Sequence, residues 1–103
     1  MNIGATINRL RKEQKLSQSE LAAAADITQT SLSQIENGLN RPNQKTLDAI
    51  CKKLGVTEPL LYILSLEKND VPEDKKAIFD TLYPLIKEMM TQLFKEGDSE
   101  LKD

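Results

Sequence analysis

Histidine and tryptophan are absent from this 103-residue sequence, and there is a single cysteine, Cys51. With no imidazole and one thiol, the usual zinc ligand sets cannot be assembled and no intrachain disulfide can close, so neither a metal nor another cofactor is expected. The same absence removes hydrolytic triads and imidazole acid–base chemistry; no paired carboxylates and no glycine-rich phosphate loop take their place, and no enzymatic activity is expected. Long apolar runs are also missing. The stretches present fall far short of the roughly 20 residues that cross a bilayer, and the opening MNIGATINRLRKEQ lacks the apolar segment of a secretory signal, which leads us to expect a cytoplasmic protein without a membrane partner. Glycine and proline number four each, aromatic residues make up 4%, and no run alternates with period two, so strands have little support and the chain reads as all-α. An apolar fraction of 39% over this length suits one small domain with a short appendage.

Net charge is −2, which does not by itself suggest a polyanionic partner, but the charge is unevenly spread. Residues 1–56 carry eight basic against five acidic residues, or +3, whereas the remainder carries six against eleven, or −5. Either the first part holds a mildly basic working surface and the second an acidic tail, or both are ordinary solvated faces.

Ile3, Ile7 and Leu10 form one stripe of a first helix. Ser17 and Glu20 have the spacing of a capping box, and open a second helix that runs through Leu21 to about Ala25. Asp26-Ile27 breaks the pattern. Thr28 can cap a third helix that continues to Glu36, where Asn37-Gly38 stops it. After the polar loop Leu39-Asn40-Arg41-Pro42, Asn43 can cap a fourth helix with Leu47, Ile50 and Leu54 inward and Gly55 at its end. Thr57 can cap a fifth, with Pro59 in its first turn and Leu60, Leu61, Ile63 and Leu64 supplying core. We therefore expect a helical domain over residues 1–66, a linker over 67–72, a C-terminal helical segment over 73–96 and a frayed acidic tail over 97–103. In the C-terminal segment Phe79, Leu82, Ile86, Met89 and Leu93 make an a/d stripe, and Pro84 predicts a kink or two consecutive helices near Tyr83.

The third helix is the informative one. At 100° per residue Gln29, Ser33, Asn37, Thr30 and Gln34 fall within one arc, opposite Leu32, Ile35 and Glu36. A face kept for solubility alone would usually carry Lys and Glu; this one carries uncharged amides and hydroxyls. Such groups give and accept hydrogen bonds in the plane of a base edge.

Residues 16–38, LSQSELAAAADITQTSLSQIENG, followed by LNRPNQKTLDAICKKLGVTEPLL, resemble the lambda-repressor/Cro-like (XRE-type) helix-turn-helix family, over residues 3–66. The resemblance implies a five-helix DNA-binding domain whose third helix enters the major groove of double-stranded DNA. It assigns base reading to Gln29, Thr30 and Gln34, to which the wheel adds Ser33. Gln18, Ser31, Asn37, Arg41 and Lys45 correspond to phosphate contacts. For Gln18 this agrees with its place at a helix start, whereas Asn37 can be a helix terminator and Arg41 and Lys45 simply solvated charges. Arg11 and Glu36 match a structural ion pair, which explains the acid on an apolar arc. In the turn between the second and third helices Asp26 stands where the family usually has glycine, which implies a turn kept with some strain.

These readings point to a sequence-specific transcriptional regulator, repressor-like, binding a pseudo-palindromic operator as a homodimer through the C-terminal stripe. The alternatives are that this stripe folds back on its own domain, or that the chain is a protein-interaction module, such as an antitoxin or adaptor, with another protein on the C-terminal segment. Cys51, beside Ile50 on the fourth helix, reads as a small buried hydrophobe.

Overall fold

Five short helices, α1 (Ile3–Glu13), α2 (Gln18–Ala24), α3 (Gln29–Glu36), α4 (Gln44–Leu54) and α5 (Glu58–Ser65), are followed by a longer one, α6 (Lys76–Phe94). Single 3-10 turns at Lys68–Asp70 and Glu73–Lys75 lead into the last helix. The structure is a computed structural model, and it describes residues 1–95. The tail expected over 97–103 lies outside the described residues. Among these, β pairing is limited to one isolated bridge between Val56 and Lys95, in keeping with an all-α chain.

Each of α1 to α5 begins at a side chain whose oxygen accepts an otherwise unpaired first-turn amide. These caps are Asn2, Ser17, Thr28, Asn43 and Thr57, at 2.8–3.4 Å from the amides of Ala5, Glu20, Ser31, Thr46 and Leu60. The capping box is complete, since the Ser17 amide donates to Glu20 Oε1 at 2.8 Å. Helices α1 to α4 also end alike. In each, a residue with left-handed backbone lets two successive amides reach back to carbonyls of the last turn: Leu16 to Arg11, Ile27 to Ala22, Leu39 to Gln34 and Val56 to Cys51, at 2.9–3.1 Å. The left-handed residues are Lys15 (φ 60°), Asp26 (φ 58°), Gly38 (φ 77°) and Gly55 (φ 74°). Asp26 thus keeps the turn between α2 and α3 that the resemblance implied. Lys15 was not anticipated, because nothing in Gln14-Lys15 marks a turn.

Ile7, Leu21, Leu32, Ile50, Leu54, Leu60 and Leu61 are fully buried at the centre. They come from all five short helices. Cys51 is buried beside them, as its position on α4 suggested.

Residues 67–72, expected as a linker, carry an ordered turn in which the Glu67 amide donates to Asp70 Oδ2 at 2.7 Å and Lys68 pairs with Asp80 at 2.8 Å. Helix α6 then runs unbroken through Pro84. Two consecutive helices do not form. Asp80 and Pro84 are both exposed, so the Asp80 carbonyl that loses its amide partner can be hydrated in place of the missing bond.

Helix α6 packs on α5, and its apolar residues divide between two edges. One edge faces the domain: Phe79 is half-buried and stacks on Tyr83 (ring centroids 4.7 Å, interplanar angle 12°). The Tyr83 hydroxyl donates to the Ile63 carbonyl, and Met90 packs against the core. The other edge is bare, with Leu82, Ile86, Met89 and Leu93 exposed by 42, 41, 60 and 70%. Ile78 and Leu85 extend it, at 52 and 63%. Phe79 therefore stands apart from the other four residues of the expected stripe. A 100° advance per residue places Phe79, Tyr83 and Met90 within about 40° of arc, and the bare residues in the adjoining arc.

Candidate nucleic-acid interface

The outer face of α3 is positioned from behind by a buried ion pair. Arg11 on α1 and Glu36 at the end of α3 meet through two bonds, Nε to Oε2 at 2.7 Å and Nη2 to Oε1 at 3.1 Å, with side chains 8 and 2% exposed. One arginine does not satisfy a carboxylate's four lone-pair sites. Asn8 Nδ2 (2.8 Å) and Gln18 Nε2 (3.0 Å) supply further donors to Oε1. Arg11 Nη1 in turn donates to the Leu16 carbonyl at 2.8 Å. Burial opposes the ionisation of Glu36, but the hydrogen bonds from Arg11, Asn8 and Gln18 and the arginine charge outweigh it, and its pKa is lowered from the usual 4.5. The group ties α1, α2 and α3 into one rigid corner.

The helices meet closely at this corner because of Gly4. A Cβ at that position would lie 2.2 Å from the Ile35 carbonyl oxygen and 2.9 Å from that of Glu36. The backbone of α1 is pressed against the last turn of α3 in the space that a side chain would need. Sequence periodicity gives no sign of this, since a glycine in a first turn can equally be neutral.

On the solvent side, an open concavity of about 330 Å³ is lined by Gln18, Gln29, Thr30, Ser33, Gln34, Asn37 and Leu39. It gathers all four residues expected to read bases, together with Gln18 and Asn37, and its lining carries no charge. Ser31 and Arg41 are elsewhere, on a neighbouring hollow of about 320 Å³ that Asn40, Pro42, Asn43 and Thr46 also line. Lys45 is exposed in the first turn of α4. Among the described residues no group of three or more His, Cys, Asp or Glu could hold a metal, and no helix is long and apolar enough to cross a membrane.

The amides in the concavity hydrogen-bond to neighbouring side chains. Gln18 Oε1 accepts from Gln29 Nε2 at 3.5 Å, so one side chain joins the buried Glu36 to the exposed face. Ser19 Oγ donates to Gln29 Oε1 at 3.0 Å, and Asn40 Nδ2 donates to Gln34 Oε1 at 2.6 Å. Asn37 Nδ2 reaches Ser33 Oγ at 3.5 Å. Asn8, Ser19 and Asn40 were missed by sequence reasoning. Asn8 alone had a signal: a buried carboxylate needs more donors than one arginine provides, and Asn8 lies one turn before Arg11 on the helix.

Two α-helices joined by a tight left-handed turn, the second with its polar face outward, define a helix-turn-helix, and the family profile of that description matches residues 7–61. The chain belongs to the XRE-type helix-turn-helix family. Among relatives of this XRE-type chain, the ImmF control region 10 kDa protein of Bacillus phage phi105 is 48% identical over 72 residues, 70% of this chain and 77% of that protein. The immunity repressor protein of the same phage is 38% identical over 56 residues, 54% of this chain. The match spans 39% of that repressor's own length. Among solved structures, the clp gene regulator ClgR from Corynebacterium glutamicum superposes with a TM-score of 0.60 over 88% of this chain and 89% of that one. At 20% identity that likeness is one of fold, and it extends beyond the helix-turn-helix.

Proposed function

We propose that this chain is a sequence-specific, DNA-binding transcriptional regulator of the repressor kind that binds a pseudo-palindromic operator as a homodimer. The observation that carries the DNA reading is the uncharged concavity on α3, where Gln29, Thr30, Ser33 and Gln34 converge in front of a rigid buried corner. Side chains that both give and accept hydrogen bonds suit base edges better than phosphates, which only accept. Ser31, Asn37, Arg41, Lys45 and the second amide hydrogen of Gln18 are proposed to meet the backbone on either side. The name of one phage relative, an immunity repressor protein, fits a repressor.

The dimer rests on the bare edge of α6. Six apolar side chains, 41–70% exposed and without a charge in their arc, form a patch that a second copy can cover about a two-fold axis. Leu82, Ile86, Met89 and Leu93 are the proposed contacts, and Phe79 supports them from the inner edge. A different protein on the same face is the alternative reading. One domain alone buries too little surface to select an operator in a genome, and pairing provides the second half-site.

Selection of sites from random duplex DNA, with light scattering on the same preparation, tests both parts. An inverted repeat bound by a dimer is expected. Ile86→Glu in the full chain should give a folded monomer with much weaker operator binding. A wild-type chain that stays monomeric at tens of micromolar refutes the homodimer and shifts weight to a separate protein partner. Absence of any enriched sequence refutes the DNA reading.

A further inference from the structure

We propose that Ser19 and Asn40 act as positioning residues that set which base Gln29 and Gln34 recognise, turning both toward guanine and away from adenine. The inference rests on the DNA-reading proposal above and deepens it. A glutamine amide is planar, with its oxygen and its NH2 on opposite sides, so fixing one fixes the other. Adenine recognition uses both together: the oxygen accepts from N6–H while the NH2 gives to N7. At guanine, N7 and O6 are both acceptors and only donors fit.

In this chain the oxygen of each reading glutamine is already engaged from outside the recognition helix. Ser19, on α2, donates to Gln29 Oε1 at 3.0 Å. Asn40, in the loop after α3, donates from Nδ2 to Gln34 Oε1 at 2.6 Å, and its backbone N–H donates to the Gln34 carbonyl at 3.3 Å. The two contacts are independent, on opposite ends of the helix, and act in the same sense. Each engages the oxygen with a donor of the protein, so that the groups left for a base are amide hydrogens. Gln29 spends one of its two hydrogens on Gln18 at 3.5 Å and keeps the other. Adenine would have to share, through its N6–H, an oxygen that Ser19 or Asn40 already holds, while guanine needs only the amide hydrogens.

Site selection with four full-length variants tests this. Gln29→Ala and Gln34→Ala identify the two operator positions that each glutamine reads, by loss of preference there. Both positions are expected to be G·C in the wild-type site, with guanine favoured over adenine by about tenfold each. Ser19→Ala should free the Gln29 amide to turn over and bring that preference close to parity at the first position alone; Asn40→Ala should do the same at the second. Both substituted residues are exposed, and unchanged circular dichroism confirms the fold. A·T at both glutamine-dependent positions, or a preference that survives Ser19→Ala and Asn40→Ala undiminished, overturns the proposal while leaving DNA reading intact. If Gln29→Ala and Gln34→Ala weaken all sequences equally, the amides meet phosphates, and the base-reading proposal and this one fall together.

Discussion

Replacing Gly4 by alanine sets two effects of opposite sign against each other. By helix propensity alone the change in α1 should stabilise the protein by up to about 1 kcal/mol. The structure gives the other answer. The new methyl would sit 2.2 Å from the Ile35 carbonyl oxygen, and relieving that overlap requires α1 to withdraw from α3 by about 1 Å. Ile7, one turn along and fully buried, would withdraw with it, and the 2.7–2.8 Å bonds from Arg11 and Asn8 to Glu36 would stretch. Overpacking of this kind costs ~1–3 kcal/mol, and partial loss of a buried ion pair adds a fraction of the ~3–5 kcal/mol that full disruption costs. We expect a net destabilisation of about 2–4 kcal/mol, a large share of the ~5–15 kcal/mol that holds a domain together. Urea unfolding followed by circular dichroism should show a lower midpoint at an unchanged slope. Ala5→Gly, at an exposed position beside it, serves as the control and should cost about 1 kcal/mol by propensity. A Gly4→Ala midpoint at or above wild type would refute the argument that α1 and α3 are in backbone contact.

Arg11→Ala strands the Glu36 carboxylate in the interior and should cost ~3–5 kcal/mol by denaturant titration, while Arg11→Met combined with Glu36→Met should recover much of the loss. Because the pKa of Glu36 is lower in the folded protein, its contribution to stability is complete above about pH 4.5 and disappears as pH falls through the folded value. Thermal melts of wild type should therefore decline on acidification more steeply than those of Glu36→Gln. Asp26→Gly removes the left-handed strain at φ 58° and should raise stability by up to about 1 kcal/mol; a lower melting temperature would contradict the strain argument.

The positions of α2 to α5 were legible because their ends are written in local chemistry. Ser17, Thr28, Asn43 and Thr57 each cap within three residues, and Gly38 and Gly55 close turns that only their own neighbours define. The face of α3 was legible for a related reason, since periodicity sorts Gln29, Ser33 and Gln34 from Leu32 and Ile35 without knowledge of any other helix. What escaped depends on distant partners. Asn8 matters through Glu36, 28 positions away, and Gly4 through the carbonyls of Ile35 and Glu36. Tyr83 finds the carbonyl of Ile63 with Phe79 stacked on its ring, and a stripe that seemed uniform in one dimension is split between two edges.

The manner in which α6 is fastened has a consequence for the spacing of DNA sites. A flexible linker between the two halves of a repressor would work as a ball joint, letting each reading head find its half-site across a range of separations. Here the Tyr83 bond to Ile63 and the Val56–Lys95 bridge hold α6 to the domain at its middle and end, and the Lys68–Asp80 pair ties its start to the turn before it. A dimer built on that helix would behave as a calliper with a locked hinge. Adding one base pair between half-sites turns one relative to the other by about 34–36° and shifts it by ~3.4 Å, displacements that the locked geometry does not absorb. Such a regulator would tolerate changes in the bases between its half-sites far better than a change in their number.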